Sequence, residues 1–265
     1  MVLKFRAKLL FFFHISKKKR TFAHYFVDFR SMTKTRKIIN DPVFGFLSIP
    51  DGVLFQILQH PYMQRLNRIR QLGLSFFVYP GAMHSRFLHS LGAMHLMHEA
   101  ITSLCEKGVE ITDNEATAAM AAILLHDVGH GPFSHVFEEV GMLPKGMSHE
   151  DISLMMMYEI RDWFSSSHVA LPKERAEVSS VMDMAIRIFK DEYDKHFLHQ
   201  LISSQLDVDR LDYLCRDSFF CGVTEGSVAS ARILKMMSVK DDRLVVEVKG
   251  IYSVEKFLVA RRLMY

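Results

Sequence analysis

The chain has 265 residues, of which 49% are hydrophobic and 24% charged, as in a globular protein with a sizeable core. Its three cysteines form no C-x-x-C pair, which excludes a thiolate metal motif or a dense disulfide framework and favours a reducing, cytoplasmic setting. Residues 1–37 hold 11 of the 33 Lys/Arg and one of the 30 Asp/Glu. Residues 38–265 therefore hold 22 basic and 29 acidic residues. That acidic part is not built as a passive polyanion binder.

Residues 1–37 form a basic extension for which we expect disorder. Its apolar run, Leu9 to Phe13, is far shorter than the roughly 20 apolar residues that span a bilayer, and no small-residue cleavage site follows it. We therefore predict no transmembrane segment and a single domain over residues 38–265.

The first part of that domain predicts a mixture of short elements. Residues 38–49 indicate an extended, turn-rich entry, and residues 53–71 a helix broken near His60-Pro61. We interpret the arginines of this helix (Arg65, Arg68 and Arg70) as a solvated or ion-paired face. Residues 75–79 favour a short strand.

The next two helices lead to the central motif. Residues 85–105 predict a helix with Arg86 and His89 on one face, and we interpret His84, His95 and His98 as surface or satisfied core histidines. A capping box, Thr112 to Glu115, starts an alanine-rich helix that runs directly into His126-Asp127. His130 and His135 follow after the Gly129/Gly131/Pro132 break, and a short helix over 133–140 places His135 and Glu138 on one face.

The remaining elements are mostly helical. We predict helices from Ser148-His149 and over 173–189, and a hairpin of residues 233–239 and 244–249. On a helix, Asp209, Tyr213 and Asp217 would form a polar ridge at i, i+4 and i+8. A last helix from Val254 reaches Tyr265 without a C-cap, so we expect the sequence to be truncated from a longer protein.

The residue types point to metal-dependent hydrolysis of a phosphorylated substrate. His89, His126, Asp127 and Asp209 are candidate ligands, and such a mixed N/O set suits Mn, Fe, Ni, Co or Zn better than Mg. His130 and His149 are candidate acids or phosphate contacts, with Glu138 as an orienting carboxylate. Arg86 and Arg210 are candidate phosphate clamps.

The ordered residues His89, His126-Asp127 and Asp209 resemble the H…HD…D signature of HD-domain phosphohydrolases. Further blocks, Gln71 to Gly73, Phe77 to Ala82, Ser85 to Gly92, Leu125 to His135 and Asp207 to Asp217, resemble its deoxynucleoside triphosphate triphosphohydrolase branch. The resemblance covers about residues 38 to 265. It implies a mainly α, HD-domain helical fold with a small β-hairpin, and release of a deoxynucleoside and inorganic triphosphate by attack at the α-phosphorus.

The resemblance also implies a role for each matching residue. It assigns the metal to His89, His126, Asp127 and Asp209, and catalysis to His130, Glu138 and His149. It assigns the substrate to Gln71, Leu72, Arg86, His135, Arg210, Tyr213, Asp217 and Lys256. One divalent metal ion, with Mg²⁺ a further candidate on the phosphates, and a homo-oligomer are implied.

Three departures from the family pattern concern the substrate. Glu138 stands where relatives often have Asp, and Arg210 where some have Lys. Lys256 stands near an Arg of the relatives, and Met264 close to a nucleotide-contacting Tyr, so the base preference is open.

Two other functions remain as alternatives. One is an HD-type phosphomonoesterase or cyclic-nucleotide phosphodiesterase, which would have little use for Tyr213 and Asp217. The other is a non-catalytic nucleotide- or nucleic-acid-binding module, which the acidic domain and the full ligand set disfavour.

Overall fold

Helices dominate the computed structural model, which describes residues 37–141, 146–166 and 172–265. Apart from Lys37, the predicted extension 1–37 lies outside the described residues. The longer helices are α1 (Val53–Gln59), α2 (Pro61–Arg65), α3 (Arg86–Glu106), α4 (Asp113–Leu125), α5 (Ser134–Glu139), α6 (His149–Ser166), α7 (Pro172–Phe189), α8 (His196–Ile202), α9 (Val208–Cys221), α10 (Ser230–Met236) and α11 (Ile251–Met264). The predicted mainly α fold is confirmed.

An N-terminal hairpin occupies the segment that the sequence predicts only as extended. Strands β1 (Lys37–Asp41) and β2 (Gly45–Ile49) pair antiparallel, with Asp41 opposite Gly45. The buried Asp41 carboxylate closes the turn, because its Oδ1 accepts the backbone N–H groups of Val43 and Phe44, each at 2.9 Å. The described part of the domain therefore contains two hairpins, one more than predicted.

The break at His60 is confirmed, and the strand predicted at residues 75–79 is wrong. His60 is extended and its Nδ1 accepts from the N–H of Tyr62, while Pro61 opens α2. Residues Ser75–Phe77 form a 3₁₀ turn in which the rings of Phe76 and Phe77 stack 4.3 Å apart. No strand among the described residues pairs with this segment, so its β-branched and aromatic composition has no ladder to join.

Helix α4 is the buried centre of the domain. The predicted capping box at Thr112 and Glu115 starts it, and every residue from Ala118 to Leu125 is buried. It packs against α3 and α7, and α9 also packs against α3. The side chains that follow Leu125 are therefore delivered from a fixed support.

The second hairpin confirms the predicted turn but has shorter strands. Strands β3 (Met237–Lys240) and β4 (Arg243–Val246) flank Asp241 and Asp242, whose positive φ angles of 50° and 57° suit a two-residue hairpin turn. Residues 233–236 belong to α10 instead of a strand. Among the described helices, none combines the length and apolar character needed to cross a membrane.

Candidate active site

Three side chains from three helices meet at one point. Nε2 of His89, on α3, lies 3.2 Å from Nε2 of His126, which directly follows α4. Oδ1 of Asp209, in the first turn of α9, lies 3.1 Å from the His89 nitrogen and 3.3 Å from the His126 nitrogen. These three residues form the metal-ligand group found among the described residues.

Asp127 completes the predicted ligand set. Its Oδ1 is 3.4 Å from Nε2 of His126, and its Oδ2 is 3.8 Å from Nε2 of His89. Bonds of about 2.0–2.2 Å to a shared ion place neighbouring N and O donors roughly 3.0–3.5 Å apart. The separations among His89, His126 and Asp209 fall in that range, so two imidazoles and one carboxylate fit a single divalent cation, and Asp127 lies beside them with its Oδ1 nearest to His126.

The electrostatic field at this point favours positive charge. Burial opposes the charged form of His89, but hydrogen bonds to Asp209 and Asp212 outweigh it and raise the pKa of His89 to about 10. Burial likewise opposes ionisation of Asp209, yet its contacts with His126 and His89 lower its pKa. A carboxylate-rich, buried pocket of this kind stabilises a cation in place of a shared proton.

Both imidazoles are oriented by their second nitrogen. Nδ1 of His126 lies 2.6 Å from the carbonyl oxygen of Ile123. Nδ1 of His89 lies 2.7 Å from Oδ2 of Asp212, a fully buried carboxylate that the sequence analysis did not single out. These contacts turn both Nε2 atoms toward the ligand cluster.

The predicted catalytic residues lie beside Asp127. Oε1 of Glu138 accepts from the backbone N–H of His149 at 2.8 Å and lies 2.7 Å from its Nδ1. The rings of His130 and His149 stack 4.1 Å apart, and Nε2 of His130 lies 3.2 Å from Oδ1 of Asp127. Burial lowers the pKa of His130 to about 4, so this imidazole is neutral at pH 7 and is held between Asp127 and Ser134.

The loop that carries these histidines is fixed from two sides. A Cβ at Gly129 would overlap the backbone of α6 at Ser153 and His149, so only glycine permits this approach. From the other side, Arg65 donates to the carbonyl oxygens of Val128 and His130 at 2.6 and 2.9 Å. The interpretation of Arg65 as part of a solvated or ion-paired face is therefore wrong.

A cavity of about 540 Å³ opens next to the ligand cluster. Five predicted substrate residues line it, namely Gln71, Leu72, Arg86, Tyr213 and Asp217. Arg86 reaches both features, because its Nη1 donates to Oδ2 of Asp127 at 2.5 Å. The cavity and the ligand cluster are therefore parts of one site.

Three predicted substrate residues remain, namely Arg210, Lys256 and His135. Arg210 does not line the cavity, and its Nε donates to the carbonyl oxygen of Ser204 at 3.0 Å. Lys256 is exposed on α11 away from the cavity, so the structure does not support the substrate contact predicted for it. The backbone of His135 lies in α5, but its side chain lies outside the described residues.

Tyr213, Asp217 and Tyr265 line one side of the cavity, which we call the far wall. Two residues that were not among the predicted substrate residues, Tyr265 and His84, hold Asp217 in place. The hydroxyl of Tyr265 donates to Oδ2 of Asp217, and its ring meets that of Tyr213 edge-on at 5.5 Å. Nε2 of His84 lies 2.7 Å from Oδ1 of Asp217, so this histidine is a buried, partnered one. Tyr265, directly after Met264, therefore places a tyrosine in the lining of the cavity.

Comparisons with known proteins agree with this geometry. A model of the HD domain matches residues 86–217. A solved phosphohydrolase from Bacteroides thetaiotaomicron superposes with a TM-score of 0.79 at 61% identity, over 87% of this chain and 53% of that one. The uncharacterized protein YwfO of Bacillus subtilis is 35% identical over 86% of this chain and 50% of its own length.

A further relative carries a functional name. The deoxynucleoside triphosphate triphosphohydrolase SAMHD1 homolog of Dictyostelium discoideum is 33% identical over 84% of this chain and 44% of its own length. The chain thus spans about half the length of the relatives it matches.

Proposed function

Because the chain belongs to the HD-domain family of phosphohydrolases, we propose that it hydrolyses deoxynucleoside triphosphates to a deoxynucleoside and inorganic triphosphate. The observation that carries the proposal is the position of Arg86. Its guanidinium contacts the ligand Asp127 and also lines the cavity that ends at Tyr213 and Asp217. A phosphate bound by Arg86 would therefore have the metal ligands on one side and room for a nucleoside on the other.

The metal centre would be formed by His89, His126, Asp127 and Asp209. When bound, a divalent cation supplies Lewis acidity toward a phosphoryl oxygen and the attacking water. Mn, Fe, Ni, Co and Zn suit the donor set, and Mg²⁺ is a candidate for the outer phosphates of the substrate.

The histidine pair is placed to move a proton. Hydrolysis joins a water oxygen to the α-phosphorus and breaks the bond to the 5′ oxygen of the sugar, which must then gain a proton. His149 is held by Glu138 and stacked on His130, so a proton can be delivered from a fixed position beside Asp127. The deoxynucleoside is the leaving group, the triphosphate keeps the oxygen of the water, and Arg86 would stabilise the negative charge on the phosphoryl oxygens in the transition state.

The far wall suits a deoxyribose. Asp217 offers carboxylate oxygens to a sugar hydroxyl, and Tyr213 presents an aromatic ring that would crowd a 2′-hydroxyl. Gln71 and Leu72 also line the cavity and would contact the base or sugar. A volume of about 540 Å³ suits a nucleotide better than the small ester of a monoesterase substrate.

The direct test is product analysis. Incubation with each of the four common dNTPs and Mn²⁺ should release inorganic triphosphate together with the deoxynucleoside. The variant His126→Gln should lose both the activity and the bound metal, whereas His98→Gln, an exposed histidine of α3, should keep both. Release of monophosphate and pyrophosphate, or hydrolysis of only monoesters or cyclic nucleotides, would contradict the proposal. A homo-oligomer is part of the proposal and is tested by light scattering with and without dNTP.

A further inference from the structure

A buried ion triad (Asp41, Arg216 and Asp212) connects the N-terminal hairpin with a metal ligand. Arg216 is fully buried and donates from Nη1 to Oδ2 of Asp41 at 2.7 Å. Its Nη2 and Nε donate to Oδ1 and Oδ2 of Asp212, each at 2.9 Å. Oδ2 of Asp212 also contacts Nδ1 of His89 at 2.7 Å, so four side chains form one continuous path.

The guanidinium of Arg216 determines the charge and the orientation of the Asp212 carboxylate. A guanidinium is always charged and binds both carboxylate oxygens, which keeps Asp212 ionised and unable to rotate. An ionised carboxylate only accepts, so His89 must donate from Nδ1. Nε2 of His89 then faces His126 and Asp209, and its lone pair is available to a cation once the second proton of the imidazole has left.

Stability alone is a weak reason for this arrangement. Removing three charges from water is costly, and buried ion pairs are often no more stable than apolar replacements. The triad carries two negative charges against one positive charge, so it adds a net negative charge behind His89. A divalent cation among the ligands compensates that charge.

The hairpin shares one of these carboxylates. Oδ1 of Asp41 closes the turn between β1 and β2 by accepting from Val43 and Phe44, while Oδ2 binds Arg216. A hairpin that opened would release Arg216 from Asp41, leaving Asp212 as its remaining anion in the triad. The hairpin and His89 are therefore connected by a continuous series of contacts through Arg216 and Asp212.

We propose that the ion triad positions His89 for metal binding and couples cation binding to the order of the N-terminal hairpin. Asp212, Arg216 and Asp41 are positioning residues and touch no substrate. The inference rests on the metal centre and not on the identity of the substrate.

Calorimetric titration of metal-free protein with Mn²⁺ tests the positioning role. Asp212→Asn should weaken Mn²⁺ binding by about 10- to 100-fold, because an amide no longer enforces the proton position on His89. Asp41→Asn keeps the Asp212–Arg216 contact and should weaken binding less. The matched control is Glu115→Gln, which alters another buried carboxylate paired with a cation, Lys195, at the opposite end of α4 from His126, and should leave the Kd unchanged.

Two results would overturn the positioning role. One is an unchanged Kd in both Asp212→Asn and Asp41→Asn, and the other is an equal loss of affinity in Glu115→Gln. If Asp212→Asn does not fold, as circular dichroism will reveal, the comparison of Asp41→Asn with Glu115→Gln decides.

Hydrogen exchange tests the coupling. Addition of Mn²⁺ should increase protection of the amides of residues 37–49 in the unmodified protein and much less in Asp41→Asn. An equal response in both proteins, or no response in either, would contradict the coupling. Neither experiment contains a nucleotide, so a failure of dNTP hydrolysis leaves their outcome intact, and their failure leaves the hydrolase proposal standing.

Discussion

Arg86 and Asp127 form a buried ion pair in which Nη1 lies 2.5 Å from Oδ2. Asp127 is at the same time a predicted metal ligand, and Arg86 lines the substrate cavity. A phosphate that enters the site must therefore share the guanidinium with a ligand of the metal. This sharing makes the planar fork of arginine, and not merely a positive charge, the requirement at position 86.

The variant Arg86→Lys tests that requirement. We expect kcat/KM for dNTP hydrolysis to fall by about 10- to 100-fold, or about 1.4–2.7 kcal/mol, because an ammonium group cannot span Asp127 and a phosphate. The control Arg68→Lys changes an exposed arginine earlier in the chain and should behave like the unmodified protein. Equal kinetics for Arg86→Lys and Arg68→Lys would show that charge alone suffices.

Tyr213 should determine the preference for deoxyribose. In Tyr213→Ala the ratio of kcat/KM for a deoxynucleotide to that for its ribonucleotide should fall by about tenfold, because the ring that crowds a 2′-hydroxyl is removed. Tyr252→Ala changes an exposed tyrosine of α11 outside the cavity and should preserve the ratio. A ratio that is the same in both variants would refute this role.

Gly92 should resist replacement by the best helix former. In a helix interior, Gly to Ala usually stabilises by roughly 1 kcal/mol. Here an added Cβ would overlap Oδ1 of Asp212 and Nη2 of Arg216, so we expect Gly92→Ala to lower the free energy of unfolding by about 1–3 kcal/mol. Gly131→Ala, where a Cβ would meet nothing within 4 Å, is the control in urea denaturation. Gly92→Ala with undiminished stability would contradict the close packing of the ion triad.

Glu115 gives the fold a defined sensitivity to acid. Its carboxylate is buried, but hydrogen bonds from Lys195, Thr112 and Tyr193 lower its pKa to about 2. A group with a lowered native pKa stabilises the fold fully above its unfolded pKa of about 4.3, and this contribution is lost as the pH falls toward the native value.

The variant Glu115→Gln isolates this effect. The difference in free energy of unfolding between the unmodified protein and Glu115→Gln should be constant near neutrality and should shrink between about pH 4.5 and about pH 2. Urea titrations across that interval measure it. A difference that grows on acidification would have the wrong sign and would contradict the assignment.

Local patterns predicted most of the helices and selected candidate ligands whose side chains lie close together in the structure. The capping box at Thr112 and the break at His60-Pro61 are short-range signals, and the structure confirms both. His89, His126, Asp127 and Asp209 could be selected because imidazoles and carboxylates of one ordered motif have few other uses, and the structure brings their donor atoms together.

Long-range partners could not be read from the sequence. Asp41 and Arg216 are separated by 175 positions, and nothing local distinguishes Asp212 or Arg216 from the charged residues of an exposed helix face. Residues 75–79 have strand-forming composition, but a strand also needs a neighbour, and none among the described strands lies beside them. Lys256 lies within α11 and Tyr265 directly after it, and only the packing of this helix decides that Tyr265 lines the cavity and Lys256 does not.

Positions in and around the site differ in how much substitution the fold tolerates. His126 and Asp127 continue directly from a helix whose last eight residues are all buried, so almost any change there disturbs the core. The substrate walls at 70–75 and at Tyr265 lie on a surface turn and at the end of α11, where replacements cost the core little. Under the proposed function, a protein built in this way can acquire a new nucleotide preference through a few substitutions while its hydrolytic chemistry stays constant.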